Sequence, residues 1–264
     1  MNVAEFYDRH PISERQVLAA VACRNGGAGG ALRPEDLYDF DQDHYGGVAA
    51  VEALARRAGI TAACRVLDVG CGLGGPARFL AATRGCRVVA VELHGGRAAG
   101  AARLSRLVGL DAQVAVMRGD AAALPFAAGG FHACVSQEGL LHVDDKAAVL
   151  RECRRVLASG GRLVFTDWVA RPRLADRERR QLHEWTAAVT LQTLDGYRGL
   201  LGRAGFGAIE VEDIADEWRP VLRARFDRYR ALPDGGGEAL RIYAFFVGLV
   251  EAGKLGGGRF SGTA

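Results

Sequence analysis

A glycine-rich break between an apolar run and a helical pattern constrains the fold of this chain more than any other feature. In VLDVGCGLGGPARFLA (66–81), the apolar run ends at Gly70 and a helical pattern begins at Pro76. Glycine lets the backbone turn sharply and approach a ligand that a Cβ atom would exclude. The stretch therefore predicts a buried strand, a ligand-binding turn and a helix.

Strand-like and helix-like patterns alternate through the middle of the chain. The predicted strands are apolar, β-branched segments at 64–69, 87–93, 112–120, 131–137 and 161–168. Strands that are apolar on both faces and separated by helices form a parallel sheet covered on both sides, with right-handed crossovers. We therefore expect an α/β fold with a Rossmann-like doubly wound sheet.

The segments outside this core pattern are predicted to be helical additions to it. Residues 1–60 are expected to form an N-terminal cap, with a connection at the glycine cluster 25–30. An Arg-rich lid helix is expected near 171–192 and further helices near 216–252. Because no long linker separates these parts, we expect a single domain whose core covers 61–264.

Two strands are predicted to close the chain. They are AIEVEDI (208–214) and GGRFSGTA (257–264), and the helices near 216–252 lie between them. The arginine-rich segment RPVLRARFDRYR (219–230) has the spacing of a solvated helix face.

Composition limits the classes of function that fit. The 264 residues carry a formal net charge of +3, which is not the basic excess of a nucleic-acid-binding protein. No signal peptide or membrane-spanning run is visible, and the six cysteines form no C-x-x-C pair. No Cys/His/Asp cluster has metal-site spacing. We expect a cytoplasmic monomer or homodimer that acts on a small molecule, without metal, nucleic acid or membrane.

The glycine spacing alone is compatible with two ligands. Gly70-x-Gly72-x-x-Gly75 fits a dinucleotide, whereas Gly70-x-Gly72-x-Gly74 fits S-adenosylmethionine (SAM).

Carboxylates at three successive strand ends distinguish these ligands. Asp68 stands where NAD sites are usually apolar, and a carboxylate suits the ammonium and sulfonium groups of SAM. Glu92 follows about 20 residues after the turn, at the place for ribose hydroxyls. Asp120, at the third strand end, can accept a hydrogen bond from the adenine amino group. The combination favours SAM, with NAD(P) as the alternative.

These motifs together resemble the class I SAM-dependent methyltransferases over most of the chain. Within that family, the chain is most similar to small-molecule amine methyltransferases of the phosphoethanolamine and sarcosine/dimethylglycine kinds. The segments that carry this similarity are DQDHYGG (41–47), SQEGLLH (136–142), FTDW (165–168) and EDIADEW (212–218). The resemblance implies a seven-stranded sheet of order 3-2-1-4-5-7-6 with strand 7 antiparallel.

The resemblance also extends the cofactor site beyond the three carboxylates. The Gly-Gly pair in DQDHYGG is expected to approach the amino-acid end of SAM. The expected cofactor-binding residues are Asp68, Gly70, Gly72, Gly74, Glu92, Leu93, Asp120, Ala121, Gln137, Gly46 and Gly47.

The segment SQEGLLH contains the candidate acid–base residues. Glu138 and His142 are four residues apart, on one face if this segment is helical. An imidazole can act as a general base near neutral pH, and a carboxylate can orient it. The resemblance implies that both act with an N-terminal tyrosine, for which Tyr38 is the first choice and Tyr7 the alternative.

Aromatic residues dominate the predicted acceptor site. The expected substrate-binding residues are Tyr7, Gln42, His44, Tyr45, Trp168, Trp185, Tyr243 and Phe246. Where the phosphoethanolamine enzymes hold a phosphate, this chain has Ala187, Val189 and Phe246, so a phosphate is not expected. Aromatic side chains favour a flat or partly apolar acceptor, held by stacking or cation–π contact.

The leading hypothesis from the sequence is a SAM-dependent methyltransferase that acts on a nitrogen of a small molecule in secondary metabolism. The acceptor would be an amine or a nitrogen heterocycle. Oxygen or carbon methylation of a small aromatic metabolite is the main alternative. An NAD(P)-dependent oxidoreductase and a SAM-binding protein without turnover are more remote ones.

Overall fold

The computed structural model describes residues 3–8, 12–24, 26, 30–232 and 236–264. Most of the glycine cluster 25–30, predicted to be a connection, lies outside the described residues. In the part of the chain that the structure describes, no helix is both long and apolar enough to cross a bilayer.

A seven-stranded sheet of order 3-2-1-4-5-7-6 forms the centre of the fold. Its strands are β1 (Arg65–Val69), β2 (Arg87–Glu92), β3 (Val114–Arg118), β4 (Phe131–Gln137), β5 (Leu157–Ala170), β6 (Gly207–Asp213) and β7 (Leu255–Thr263). The first five strands pair in parallel, and β7 runs antiparallel to both β5 and β6. The predicted fold class, strand order and antiparallel seventh strand are confirmed.

Ten α-helices surround this sheet in the described part of the chain. They are α1 (Val3–Asp8), α2 (Glu14–Arg24), α3 (Gly47–Ala58), α4 (Gly75–Arg84), α5 (Gly95–Leu107), α6 (Lys146–Val156), α7 (Asp176–Thr186), α8 (Leu194–Arg203), α9 (Ala215–Arg230) and α10 (Gly237–Glu251). Short 3₁₀ turns lie at Pro34–Asp36 and Leu140–His142.

Alternating side chains of the central strands enter two separate cores. On β1, Val66 packs into the cluster that contains Leu54 of α3 and Leu80 of α4. Its neighbour Leu67 packs into the opposite cluster, with Leu150 of α6. Successive strand residues point to opposite faces of a sheet, so a sheet covered on both sides needs apolar residues at every position.

The region after β5 differs from the sequence prediction. The single lid helix expected near 171–192 is the shorter α7, because Ala187 adopts a left-handed φ of 50° and ends it. Helix α8 was not predicted, since LDGYRGLLGR contains three glycines, which are poor helix formers. The Thr193 side chain caps this helix by accepting from the Gly196 N–H at 2.9 Å.

A third apolar cluster joins the lid helices to the carboxyl end of β5. Trp168 lies at its centre, with Leu182 of α7, Trp218 of α9 and Phe246 of α10. The rings of Trp168 and Phe246 meet edge to face, with centroids 5.1 Å apart. These helices therefore cover the end of the sheet at which the predicted site residues collect.

Candidate active site

Asp68, at the end of β1, is a buried carboxylate with an unsatisfied oxygen. Its side chain is 2% exposed, and Oδ2 has no hydrogen-bond partner. Burial, with a smaller contribution from the charge of Glu92, raises the pKa of Asp68 to about 7. A buried polar atom without a partner is costly, and a ligand ammonium would satisfy it and favour the ionised carboxylate. The residue therefore fits the amino-acid end of SAM.

Glu92, the last residue of β2, forms a hydrogen bond to the glycine-rich turn after β1. Its Oε2 accepts from the Gly72 N–H at 2.9 Å, and its Oε1 accepts from the His94 N–H at 2.8 Å. The same side chain lines a small cavity with Leu93, Asp120 and Ala121. These four predicted cofactor residues therefore lie together around one cavity.

The predicted glycines divide into two groups. Gly70 and Gly72, with positive φ angles of 69° and 57°, line the larger of two adjoining cavities. Gly74 lies in neither cavity: a Cβ atom there would be 3.0 Å from the Arg78 guanidinium and 3.2 Å from Ala101 Cβ. Its φ of 77° and the close approach of α5 explain why glycine occupies this position.

Gly46 and Gly47 also lie in neither cavity, which differs from their predicted place beside the cofactor. They begin α3: Gly46 is its N-cap with φ 89°, and Gly47 has φ 53°. A side chain at either position would be strained in this left-handed backbone conformation. The positive φ angles at the start of α3 thus explain why glycine occupies both positions.

Tyr7 and His142 form a hydrogen bond at the junction of the two cavities. The Tyr7 hydroxyl lies 2.8 Å from His142 Nε2, and His142 Nδ1 lies 3.3 Å from the Ala187 carbonyl oxygen. Since a carbonyl only accepts, Nδ1 carries the proton there and Nε2 accepts from the tyrosine. Burial raises the pKa of Tyr7, so its hydroxyl stays protonated.

Tyr38, the first choice for the partner of His142, lies elsewhere. Its ring packs against Phe79 of α4 with centroids 5.3 Å apart, at the edge of the core beneath the sheet. It lines neither cavity. The structure thus pairs His142 with the alternative, Tyr7, because Tyr38 follows the 3₁₀ turn Pro34–Asp36 and points into the core.

Glu138 lies at the end of β4 in a left-handed conformation rather than in the predicted helix. Its φ is 54°, and its N–H donates to the Thr166 carbonyl at 2.9 Å. Both carboxylate oxygens accept from the Tyr45 N–H, at 3.0 and 3.1 Å. Burial raises the pKa of Glu138, against a lowering by Arg225. Strain at such a residue is frequent at functional sites.

His44 is held by glutamines on both ring nitrogens. His44 Nδ1 lies 3.0 Å from Gln137 Nε2 and 3.2 Å from the Tyr45 carbonyl oxygen, and its Nε2 lies 2.8 Å from Gln42 Oε1. Burial lowers the pKa of His44 to about 4, and the ring is neutral at pH 7. His44 and Gln137 line the larger cavity, whereas Gln42 lies behind them.

The larger cavity has aromatic walls from four parts of the chain. Its volume is about 240 Å³, and the predicted acceptor residues among its walls are Tyr7, His44, Tyr45, Trp168, Trp185, Tyr243 and Phe246. Glu138 and His142 lie in the same wall. Such a site suits a small acceptor that is partly apolar or cationic.

Two arginines of this cavity were missed by the sequence analysis. Arg97 of α5 forms a 2.7 Å salt bridge with Asp43 and lies 4.4 Å from the centre of the Tyr7 ring. Arg225 of α9 lies 4.6 Å from the centre of the Tyr45 ring. The sequence does carry one signal for Arg225. It falls on the same helix face as the apolar stripe Leu222–Phe226–Tyr229, and this face is expected to pack against the protein.

Known proteins show the same domain and the same fold. Residues 67–165 match the family model described as "Methyltransferase domain". The chain is 33% identical over 178 residues to "Methyltransferase GfsG" of Streptomyces halstedii, covering 66% of this chain and 64% of that protein. It is 33% identical over 175 residues to the glycine/sarcosine/dimethylglycine N-methyltransferase of Actinopolyspora halophila, covering 66% of this chain and 31% of that protein. O- and C-methyltransferases also occur among the relatives.

The fold agrees with a solved structure over the whole chain. Phosphoethanolamine N-methyltransferase 2 of Haemonchus contortus, in complex with SAM, has a TM-score of 0.80 at 20% identity, covering 100% of this chain and 60% of that one. The chain thus spans less than two thirds of the length of these relatives. The strand order is that of the class I SAM-dependent methyltransferase fold, and residues 67–165 within it match the methyltransferase domain.

Proposed function

We infer that this chain transfers the methyl group of SAM to a nitrogen of a small molecule, an amine or a nitrogen heterocycle. The observation that supports this most is that Glu138 and His142 lie in the wall of one aromatic cavity, which Asp68 at the end of β1 also lines. A buried carboxylate and aromatic faces stabilise a cationic group, and a tyrosine–histidine pair can accept its proton. A place in biosynthesis and in the cytoplasm stays a prediction.

The cofactor residues act by holding SAM at the ends of three strands. Asp68 would bind its ammonium, Glu92 its ribose hydroxyls, and the segment at Asp120 and Ala121 its adenine. Gly70 and Gly72 leave room for this approach. When bound, SAM would supply an electrophilic methyl group on its sulfonium, and transfer of that group to the acceptor would leave S-adenosylhomocysteine. The protein contributes alignment and exclusion of water.

Tyr7 and His142 would remove the acceptor's proton. The hydroxyl oxygen of Tyr7 accepts a proton from an ammonium as its own proton moves to Nε2 of His142, across the 2.8 Å hydrogen bond. Nδ1 remains protonated toward the Ala187 carbonyl, which supports the charged ring. The nitrogen lone pair is then free to attack.

Methylation of an oxygen on a small aromatic metabolite is the second candidate. The same Tyr7–His142 pair could deprotonate a phenol, and Trp185 and Phe246 offer apolar surface for a ring. Glu138 favours nitrogen, because a carboxylate repels a developing phenolate but attracts an ammonium.

The test is a matched acceptor screen. The protein is incubated with SAM and a set of amines, nitrogen heterocycles and phenols, each paired with the same skeleton lacking the nucleophile. Release of S-adenosylhomocysteine and the product mass are measured. We expect methylated amines with wild type and loss of product with Asp68→Ala, while Asp111→Ala, an exposed change, serves as the control. Methylated phenols without methylated amines would overturn the nitrogen assignment.

A further inference from the structure

The wall of the larger cavity has a charged side and an apolar side. The charged side lies at the edge of the sheet and includes Asp68 of β1, Glu138 at the end of β4 and His142 in the turn that follows. The other side comes from α7, the segment after it and α10. Its side chains form an apolar wall of Leu182, Trp185, Ala188, Leu191, Ile242 and Phe246.

The apolar wall offers no charge to an anionic group. Among the described residues that α7, the segment 187–193 and α10 contribute to the cavity, none is charged. The hydroxyl of Thr186 donates to the Leu182 carbonyl at 2.7 Å, within its own helix. A carboxylate or phosphate placed against this wall would lose its hydration without gaining a charged partner, which is costly. This side of the cavity therefore favours an apolar group.

Arg225 of α9, which borders the apolar wall, is engaged on the charged side. Its Nη2 donates to the His44 carbonyl at 3.0 Å, and its Nη1 donates to the Tyr243 hydroxyl at 3.3 Å. Burial raises the pKa of Glu138, and the charge of Arg225 lowers it. Arg225 thus supports the ionised form of the carboxylate that faces the acceptor nitrogen.

Aromatic rings continue the apolar surface from Glu138 to the apolar wall. The Tyr45 N–H donates to the Glu138 carboxylate at 3.0 Å, and the Tyr45 ring lies 5.5 Å from that of Trp168. The Trp168 ring in turn lies 5.1 Å from that of Phe246. A molecule whose nitrogen lies at Glu138 can therefore extend along apolar side chains.

Part of the apolar wall remains exposed at the cavity. Leu191 and Ile242 line the cavity and are only partly buried, although both pack against the apolar cluster around Trp168. Each methylene that a ligand buries against such surface raises its affinity by about fourfold. A small polar amine would forgo this gain.

We propose that the acceptor is an amine with an extended apolar group, its nitrogen at Glu138 and His142 and its apolar group against Leu191 and Ile242. The nitrogen end rests on the proposed function, whereas the apolar end rests on the composition of the wall. Leu191 and Ile242 are thus residues that select the acceptor by the length of its apolar group.

The test is the affinity for N,N-dimethylalkylamines with ethyl, butyl and hexyl chains. The matched polar probe is 6-(dimethylamino)hexanoate, which has a carboxylate at the far end of its chain. Calorimetric titrations use protein saturated with S-adenosylhomocysteine, at constant pH and ionic strength. We expect the hexyl amine to bind at least about tenfold more tightly than the ethyl amine, since four fully buried methylenes contribute up to about 250-fold. The carboxylate should remove this gain.

Ile242→Asn and Leu191→Asn should each reduce the gain from ethyl to hexyl by about threefold or more, with an unchanged affinity for S-adenosylhomocysteine. Ala244→Asn, an exposed change on the same helix as Ile242, is the matched control and should keep the gain. Equal binding of the ethyl and hexyl amines, binding of none of them, or tighter binding of the carboxylate probe than of the hexyl amine would overturn the proposal. An unchanged gain in both variants would also overturn it.

These outcomes separate the inference from the proposed function. S-adenosylhomocysteine has no methyl group to transfer, so the titrations require no turnover. If the acceptor screen yields methylated phenols without methylated amines but the chain-length gain depends on Ile242, apolar selection stands and nitrogen methylation falls. If amines are methylated but chain length has no effect on binding, the reverse holds.

Discussion

The Tyr7 hydroxyl lies 2.8 Å from Nε2 of His142, although 135 positions separate the two residues in the chain. One belongs to a short helix before the sheet and the other to the 3₁₀ turn after β4. Their meeting forms the tyrosine–histidine pair to which we assign proton removal, and neither segment contains both residues.

Removing either member of this pair should impair turnover more than cofactor binding. We expect Tyr7→Phe and His142→Ala each to lower kcat by about 10²-fold, the usual contribution of general acid–base catalysis. Initial rates with an acceptor from the screen and calorimetric SAM affinities would measure both effects. Tyr38→Phe is the control, since Tyr38 packs against Phe79 and should leave kcat unchanged. A loss in Tyr38→Phe equal to that in Tyr7→Phe would contradict the assignment.

Asp68 should make SAM binding pH-dependent. The residue binds an ammonium only when ionised, and its pKa in the ligand-free protein is raised to about 7. SAM affinity should therefore rise as the pH increases through about 7, and Asp68→Asn should abolish that rise and weaken binding by about 1.5–3 kcal/mol. Calorimetry at several pH values measures this. An Asp68→Asn protein with the wild-type pH profile would exclude Asp68 as the cause.

The raised pKa of Asp68 also predicts that the ligand-free protein becomes less stable as the pH rises, whereas SAM binding becomes tighter. Because the folded-state pKa of Asp68 is about 7, above the ordinary 3.8, the folded protein binds the proton more tightly than the unfolded chain. The resulting stabilisation is complete below about pH 4 and is lost as the pH rises through 7. Thermal unfolding without ligand should show a smaller decline in Tm over this range for Asp68→Asn than for wild type. Identical slopes would argue against the shift.

Asp167 is expected to position the turn that carries His142. Its Oδ1 accepts from the Leu141 N–H at 3.2 Å, and its Oδ2 accepts from the Tyr197 hydroxyl. Asp167→Ala should destabilise the fold by about 1–3 kcal/mol, because two buried donors lose their acceptor. Urea unfolding measures this, with the exposed Asp111→Ala as control. Equal stabilities of the two variants would refute the assignment.

A buried ion pair should stabilise the attachment of the segment before α3. Asp41 and Arg78 form a 2.8 Å salt bridge, and both side chains are 0% exposed. Asp41→Ala should cost about 3–5 kcal/mol, because it leaves the Arg78 charge buried without a partner. Asp41→Ala/Arg78→Met should recover part of this loss in chemical denaturation. Additive losses in the double variant would contradict the coupling.

Much of the sheet could be predicted because its rules are local. β-Branched apolar runs such as Val88–Val91 mark buried strands, and the carboxyl ends of parallel strands meet at one edge. Asp68, Glu92 and Asp120 therefore fall together once the strand order is known. Helix α8 was not predicted because its three glycines give the segment a low helix propensity. In the folded protein, the packing of Tyr197 and Leu201 into the core stabilises the helix.

The acceptor side could be predicted less well, because its contacts join segments far apart in the chain. No periodicity distinguishes Tyr7 from Tyr38; the difference is that Tyr38 meets Phe79 of α4 in the core. Arg225 lies on a helix whose other arginines are exposed, and only the docking of α9 against Tyr45 brings it into the cavity.

Arg97 links parts of the molecule that the reaction needs at the same time. Its side chain lies against Gly72 of the cofactor turn, pairs with Asp43, donates to the Ile12 carbonyl and stacks on Tyr7. One guanidinium thus contacts both the glycine turn after β1 and the helix that carries Tyr7. A change in the position of this one side chain would therefore reach the glycine turn and the Tyr7–His142 pair together.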